Sequence, residues 1–201
     1  MNPKLKTGKY NLEKNIFTTP VARLAFSSLF QLRPDFGGKL KYQACLIFDE
    51  DEVDLSLMRK VAKETLKNRY PKAKFDFETL FQDGDLRPDT DGFPGNVFVN
   101  TNANEGHPPV VYDQQIRPIA EDDTPGIASG DYVVALLRPY TWDYKGKQGM
   151  SFGLVGVQLV RRGERFASGE VNAEELASML DELPIDMVDI DGDDDGDDLE
   201  L

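Results

Sequence analysis

Apolar residues recur along this chain at two different periods, and the switches between them sketch the fold. In KLKYQACLIFD, residues 39–49, alternation is strict: Leu40, Tyr42, Ala44, Leu46 and Phe48 share one face, and Lys39, Lys41 and Gln43 the other. Period two predicts a half-buried strand with a basic outer face. Between Val53 and Tyr70 the spacing becomes Leu55, Met58, Val61, Ala62, Leu66, the period of an amphipathic helix. Acids within 49–54 suit the positive end of its dipole, and Pro71 ends it.

Further strands follow the same reasoning. TTPVARLAFSSLF, from Thr18, is rich in β-branched and aromatic residues and predicts a strand that breaks near Ser27–Ser28. Residues 82–96 are dense in Gly, Pro and Asp and predict loop. Short strands are expected at 97–102 and 109–113. Two long apolar runs, 131–144 and 151–163, are joined by KGKQGM and predict a β-hairpin. A weak helical pattern occupies 172–183. The fold class expected is mostly β with one or two helices, a small, closed antiparallel barrel carrying one helix between its strands. The domain reading is a flexible basic arm at 1–15, a compact mostly-β body at 16–169, and a disordered acidic C-terminal tail at 170–201.

Charge sharpens that division. The chain carries 23 Lys and Arg against 36 Asp and Glu, net −13. Fourteen of those acids lie after Arg165, a stretch with no Lys or Arg. Residues 1–169 hold 23 bases and 22 acids, net +1, and the first 74 hold 15 and 8, net +7. A neutral-to-basic body therefore carries a polyanion. Dense like charge cannot offset its self-repulsion by packing, so it stays solvated and serves as an interaction tail. Asp191, Asp193, Asp194, Asp195, Asp197, Asp198 and Glu200 are the partner-binding and regulatory candidates there.

Several chemistries are excluded. No apolar run approaches the roughly 20 residues of a membrane helix, and no apolar segment follows the basic N-terminus to make a secretory signal. The single Cys45 permits no internal disulfide and suits a reducing cytoplasm. His107 has no neighbouring Cys or His for zinc. The acids from Asp189 to Glu200 fall in a calcium-loop register, but Asp194 stands where the loop's turn requires Gly. Asp83, Asp85, Asp89 and Asp91 could be a nuclease metal site, yet they lie in a loop where Asp makes turns. No Walker-type phosphate loop or nucleophile–His pairing is recognisable. The expectation is a non-enzyme with no metal and no cofactor.

The chemistry that does stand out is in the hairpin. Arg138, Tyr140, Trp142 and Tyr144 recur every two residues, with Lys145 and Lys147 just beyond. Aromatics flanked by cations on one strand face form a platform on which bases stack while Lys and Arg hold phosphates. Lys39, Lys41 and Arg23 are compatible with tracking a nucleic-acid backbone.

The stretch GDYVVALLRPYTWDYKGKQGMSFGLVGVQLVRRGERF, with TPVARLAFSSLF and KLKYQACLIFD, resembles a family of bacteriophage single-stranded DNA-binding proteins formerly catalogued as a domain of unknown function. The resemblance covers most of residues 16–166. It implies an OB-fold body with an acidic C-terminal tail, and single-stranded DNA crossing the strand face near Tyr140, Trp142 and Tyr144. It also implies replication partners, such as DNA polymerase or helicase, recruited through the tail in the host cytoplasm. Phage proteins of this layout often end in an aromatic residue, whereas this chain ends Leu199-Glu200-Leu201. A homo-oligomer is compatible with the sequence. The rival reading is a protein-interaction module whose acidic tail mimics DNA and occupies a partner's basic site.

Overall fold

The computed structural model describes residues 3–35, 37–123 and 126–166. In chain order the elements are helix α1 (Pro3–Thr7) and strands β1 (Lys9–Asn11), β2 (Ile16–Thr18), β3 (Ala22–Pro34) and β4 (Leu40–Phe48). Helix α2 (Ser56–Arg69) follows, then β5 (Gln82–Asp83), β6 (Val97–Asn104), β7 (Val110–Tyr112), β8 (Tyr132–Tyr144) and β9 (Lys147–Arg161).

Five of these strands close on themselves. β3 pairs antiparallel with β4 (Leu24 opposite Leu46), and β4 with β6 from Lys41–Asn104 to Phe48–Val97. β6 meets β9 in parallel at Asn102–Gly153, β9 pairs with β8 along its length, and β8 returns to β3 at Ala22–Val133. This closed ring with a helix between its second and third strands is the OB-like architecture. It is antiparallel except where β9 lies beside β6 and β7. Inside, Phe152 meets Phe17 and Phe81 with ring centroids 6.4 Å apart in each pair, among Leu24, Leu46, Leu137 and Met150. Helix α2 buries Met58, Val61, Ala62 and Leu66, the stripe read from the sequence, and packs on β8 and β9. No helix among the described residues is long and apolar enough to cross a membrane.

Several expectations are corrected. Within the expected arm the described residues, 3–15, are attached to the body: α1 is tied in by Val21 N–H donating to Leu5 O and Asp54 N–H donating to Lys6 O, both at 2.8 Å. β1 and β2 then form a hairpin that joins β8 at Thr18–Leu136. The basic residues hid an apolar anchor, Phe17, which is fully buried. The hairpin link between β8 and β9 is two residues rather than six. Lys145 and Gly146 both adopt positive φ (51° and 79°), the left-handed pair that matches strand twist in a tight hairpin. The anticipated break in β3 is a register shift between Ala25 and Ser28, with Phe26 at φ 43°.

β4 is half-buried only in its first half. Cys45 and Ile47, on its outer face, are covered by Phe93 and Phe98, whose rings lie 4.9 Å apart. Phe93 comes from the Gly/Pro-rich loop, which therefore carries a small core of its own. Arg87 lies over both rings, 5.1 and 4.7 Å from their centroids. The predicted helix at 172–183 and the tail lie outside the described residues.

Burial pushes the Cys45 thiol up from its ordinary 9.0 to about 12, against the opposing pull of Arg87. The unfolded thiol ionises first as pH rises, so this contribution is intact below pH 9 and is lost between 9 and 12. Thiol reagents at pH 8 are expected to modify Cys45 only as fast as the protein opens. Modification within seconds in native buffer would contradict this packing.

Candidate nucleic-acid interface

The β8–β9 ribbon presents the chemistry read from the sequence. Val133, Ala135, Leu137 and Pro139 turn inward and are buried, which turns Arg138, Tyr140, Trp142 and Tyr144 outward. Their partners across the ribbon are Gly153, Ser151, Gly149 and Lys147. Two of these are glycines, and the rings use the space. A Cβ at Gly149 would lie 2.3 Å from the Trp142 indole, so the indole rests on bare backbone. A Cβ at Gly153 would meet the Tyr140 ring at 3.7 Å, ordinary contact.

The three rings are not equivalent. Trp142 donates its Nε1–H to Ser151 Oγ at 3.2 Å and stands edge-on to Phe75 at 6.1 Å, which itself meets Phe77 edge-on at 5.1 Å. Its underside and polar edge are engaged within the ribbon. Tyr140 and Tyr144 remain open, 39% and 66% exposed. Lys145 holds its ammonium 5.3 Å from the Tyr144 ring, and Lys147 is exposed beside it at the tip.

At the ribbon's base lies a trough of about 580 Å³ lined by residues that include Lys41, Asn102, Asn104, His107, Arg138 and Tyr140. Its origin is topological. β6 and β9 pair at the single position Asn102–Gly153, and the trough lies there, between residues 102–110 on one side and Arg138, Tyr140 and 153–155 of the ribbon on the other. On its floor Lys41 of β4 pairs with Asn104 of β6, and Asn102 lies two residues back along β6, so two amides sit beside the Lys41 ammonium on the face of the ring's second and third strands.

Lys41 reaches the Asp35 carboxylate at 3.1 Å. The Lys39 backbone N–H first, and then the Lys41 side chain, hold the Asp35 carboxyl below the usual carboxylate range. Lys41 thus enters the trough with its position fixed and its charge partly shared. Arg138 is exposed and forms no ion pair among the described residues. Lys39 is exposed one position before β4 begins.

Arg23 is elsewhere. Its Nε donates to Gly130 O at 3.3 Å and its Nη2 to Glu164 O at 2.6 Å, and its guanidinium lies 4.1 Å from the Phe166 ring centroid. It sits opposite Tyr132, six residues and about 20 Å along β8 from Arg138. There it clasps the chain as it leaves the ring. The trough beside it, about 470 Å³, has Asp49 and Glu52 on its wall, a poor lining for a polyanion. Arg161 in that wall already lies 3.3 Å from the Tyr132 ring centroid.

The sequence pattern did not single out Asn102, Asn104 or His107. The period-two amides at 100, 102 and 104 were a legible signal of a polar strand face. His107 carried none, because only the β6–β9 contact brings it near Arg138. Phe26, 61% exposed on the β3 bulge and 5.8 Å from Phe93, was likewise read only as part of a strand. The acids from Asp191 to Glu200 lie outside the described residues. No group of three or more His, Cys, Asp or Glu that could hold a metal ion occurs among the described residues.

A family model described as Enterobacter phage Enc34, ssDNA-binding protein, matches residues 14–185. The chain belongs to that family. The Enc34 match takes in all five ring strands and every trough residue named above, and the family is one of DNA-binding proteins rather than enzymes. A curated relative, putative protein p50 of Acyrthosiphon pisum secondary endosymbiont phage 1, is 32% identical over 168 residues, 76% of this chain and 87% of the relative. The solved Enc34 protein in complex with ssDNA superposes with a TM-score of 0.64 at 19% identity, covering 80% of this chain and 97% of that one. A C-terminal truncation of the Enc34 protein gives 0.65 at 20% identity, covering 80% and 94%. These structures share the fold described here.

Proposed function

We propose that this protein binds single-stranded DNA without sequence preference across the trough and ribbon. The observation that carries the reading is the convergence of Lys41 with Arg138 and Tyr140, read from two distant strands of the sequence, into one trough on the outer face of an OB-like ring. Family membership and the named activity of the Enc34 protein support it. Unpaired bases stack on Tyr140 and Tyr144. Arg138, Lys41 and Lys39 take phosphates at the base of the ribbon, and Lys145 and Lys147 at its tip. The amides of Asn102 and Asn104 offer hydrogen bonds to whichever base edges arrive. Stacking of this kind tolerates any sequence because every base has a π-face. A duplex hides those faces, which is the source of single-strand preference.

The tail acts on the same groove through charge. As a polyanion it competes with DNA for the cations, and when displaced it is free to recruit replication proteins such as polymerase or helicase, in phage DNA replication, recombination or repair within the host cytoplasm. Both effects weaken as salt rises. Deleting residues 170–201 is expected to tighten binding several-fold at low salt, with the gain fading as ionic strength increases. Equal affinities at low salt would remove tail competition. The reading as a whole is tested by titrating fluorescent oligothymidine and a matching duplex. Preference for the single strand is expected. Absence of binding by the tail-less body would favour the tail as a DNA mimic for a protein partner.

A further inference from the structure

The trough does not stop at Tyr140. A second one, about 280 Å³, lies on the outer face of β2, β8 and β9 and is lined by Lys9, Asn11, Lys14, Ile16, Leu136 and Val155, among others. Val155 belongs to the lining of both. No carboxylate lines either one. Lys9 and Lys14 are exposed, and neither forms an ion pair among the described residues. Between them the floor is apolar.

These cations are held to the platform. Asn15, at φ 51°, donates its Nδ2–H to Pro139 O at 3.3 Å, and Pro139 stands between Arg138 and Tyr140. Tyr10 donates its hydroxyl to Asn15 Oδ1 at 2.9 Å. Deeper in, Thr19 N–H donates to Ala135 O, and Ala135 N–H to Thr19 Oγ1, each at 2.9 Å. Lys9 pairs with Thr18 and Thr18 with Leu136, so β1 lies two strand spacings, about 10 Å, from β8. A chain leaving Tyr140 across Val155 would meet Lys9 and Lys14 next.

We infer that the N-terminal hairpin is a second phosphate-binding subsite, which continues the path of single-stranded DNA beyond Tyr140 over Val155 to Lys9 and Lys14. The inference rests on the single-stranded DNA reading. A solvated, mobile DNA backbone suits an open channel with cations on its walls and an apolar floor against which sugars and bases pack. Lys9 precedes the stretch that matches the family model, which begins at residue 14.

The test is the full-length double variant Lys9→Gln, Lys14→Gln, titrated with oligothymidines of increasing length over a range of salt. Exposed, unpaired lysines leave the thermal midpoint unchanged, which serves as the folding control. With long oligothymidine the variant should bind more weakly, and its log affinity against log salt slope should be shallower by about 1.4, two single-strand contacts. With oligothymidines short enough to be held by the first trough alone, variant and parent should bind alike. Tail competition acts on both lengths and cancels in the comparison. An unchanged slope with long DNA, while Arg138→Gln still weakens binding, would overturn the subsite and leave the main reading standing. Equal losses on short and long DNA would also overturn it, assigning the lysines to general attraction. If the parent protein bound no oligothymidine, the failure would lie in the underlying reading.

Discussion

Tyr140→Ala is expected to weaken binding of single-stranded DNA by about 1–3 kcal/mol, roughly 5- to 150-fold, with little change in salt dependence. Tyr140 is an open ring directly beside Arg138 in the trough, so truncation removes stacking and leaves the phosphate contacts in place. Trp142→Ala should behave differently. Its indole rests on Gly149, donates to Ser151 and meets Phe75 edge-on. Its loss should lower the thermal midpoint, with DNA binding reduced less than in Tyr140→Ala. Anisotropy titrations of both variants with oligothymidine, beside their melting curves, check the division. A Trp142 variant that melts like the parent yet loses more affinity than the Tyr140 variant would reverse the two roles.

Phe152→Ala is expected to cost about 3–5 kcal/mol of stability, the range for truncating a buried aromatic. The ring is 1% exposed, between Phe17 and Phe81, and its residue pairs with Pro139 on β8. It thus packs directly behind the strand that carries Arg138 and Tyr140. Against a total stability of about 5–15 kcal/mol this is a large loss. Urea unfolding measures it, and saturating oligothymidine should raise the midpoint of the variant as it does that of the parent, because ligand binds the folded state. A loss below about 1 kcal/mol would mean that the ring interior tolerates a cavity there.

What the sequence could show was whatever local periodicity encodes. The alternation in 39–49 and 131–144 and the helical stripe from Met58 to Leu66 each gave an element, because each buries one face and the period follows from geometry. The ribbon's outward set, Arg138 to Tyr144, followed from the same rule. The remainder depends on contacts between distant residues. Lys41 and Arg138 are nearly a hundred positions apart, and the β6–β9 crossing that brings them together leaves no local trace. Arg23 resembled any strand cation until its hydrogen bonds to Gly130 and Glu164 appeared. That Gly149 lies beneath Trp142, so that this ring is packed differently from Tyr140 and Tyr144, is likewise invisible in the sequence. The N-terminal residues read as a basic arm because one buried ring, Phe17, is too short a pattern to announce a hairpin.

The central claim is that single-stranded DNA lies along the trough formed by Lys41, Arg138 and Tyr140. Backbone amide chemical shifts of the labelled protein, followed as oligothymidine is added, test it most directly. The expected result is a contiguous set of shifts at 102–104, 138–144 and 151–155, with little change around Arg23, Tyr132 and Arg161. Shifts concentrated around Arg23, Tyr132 and Arg161, with 138–144 unmoved, would contradict it.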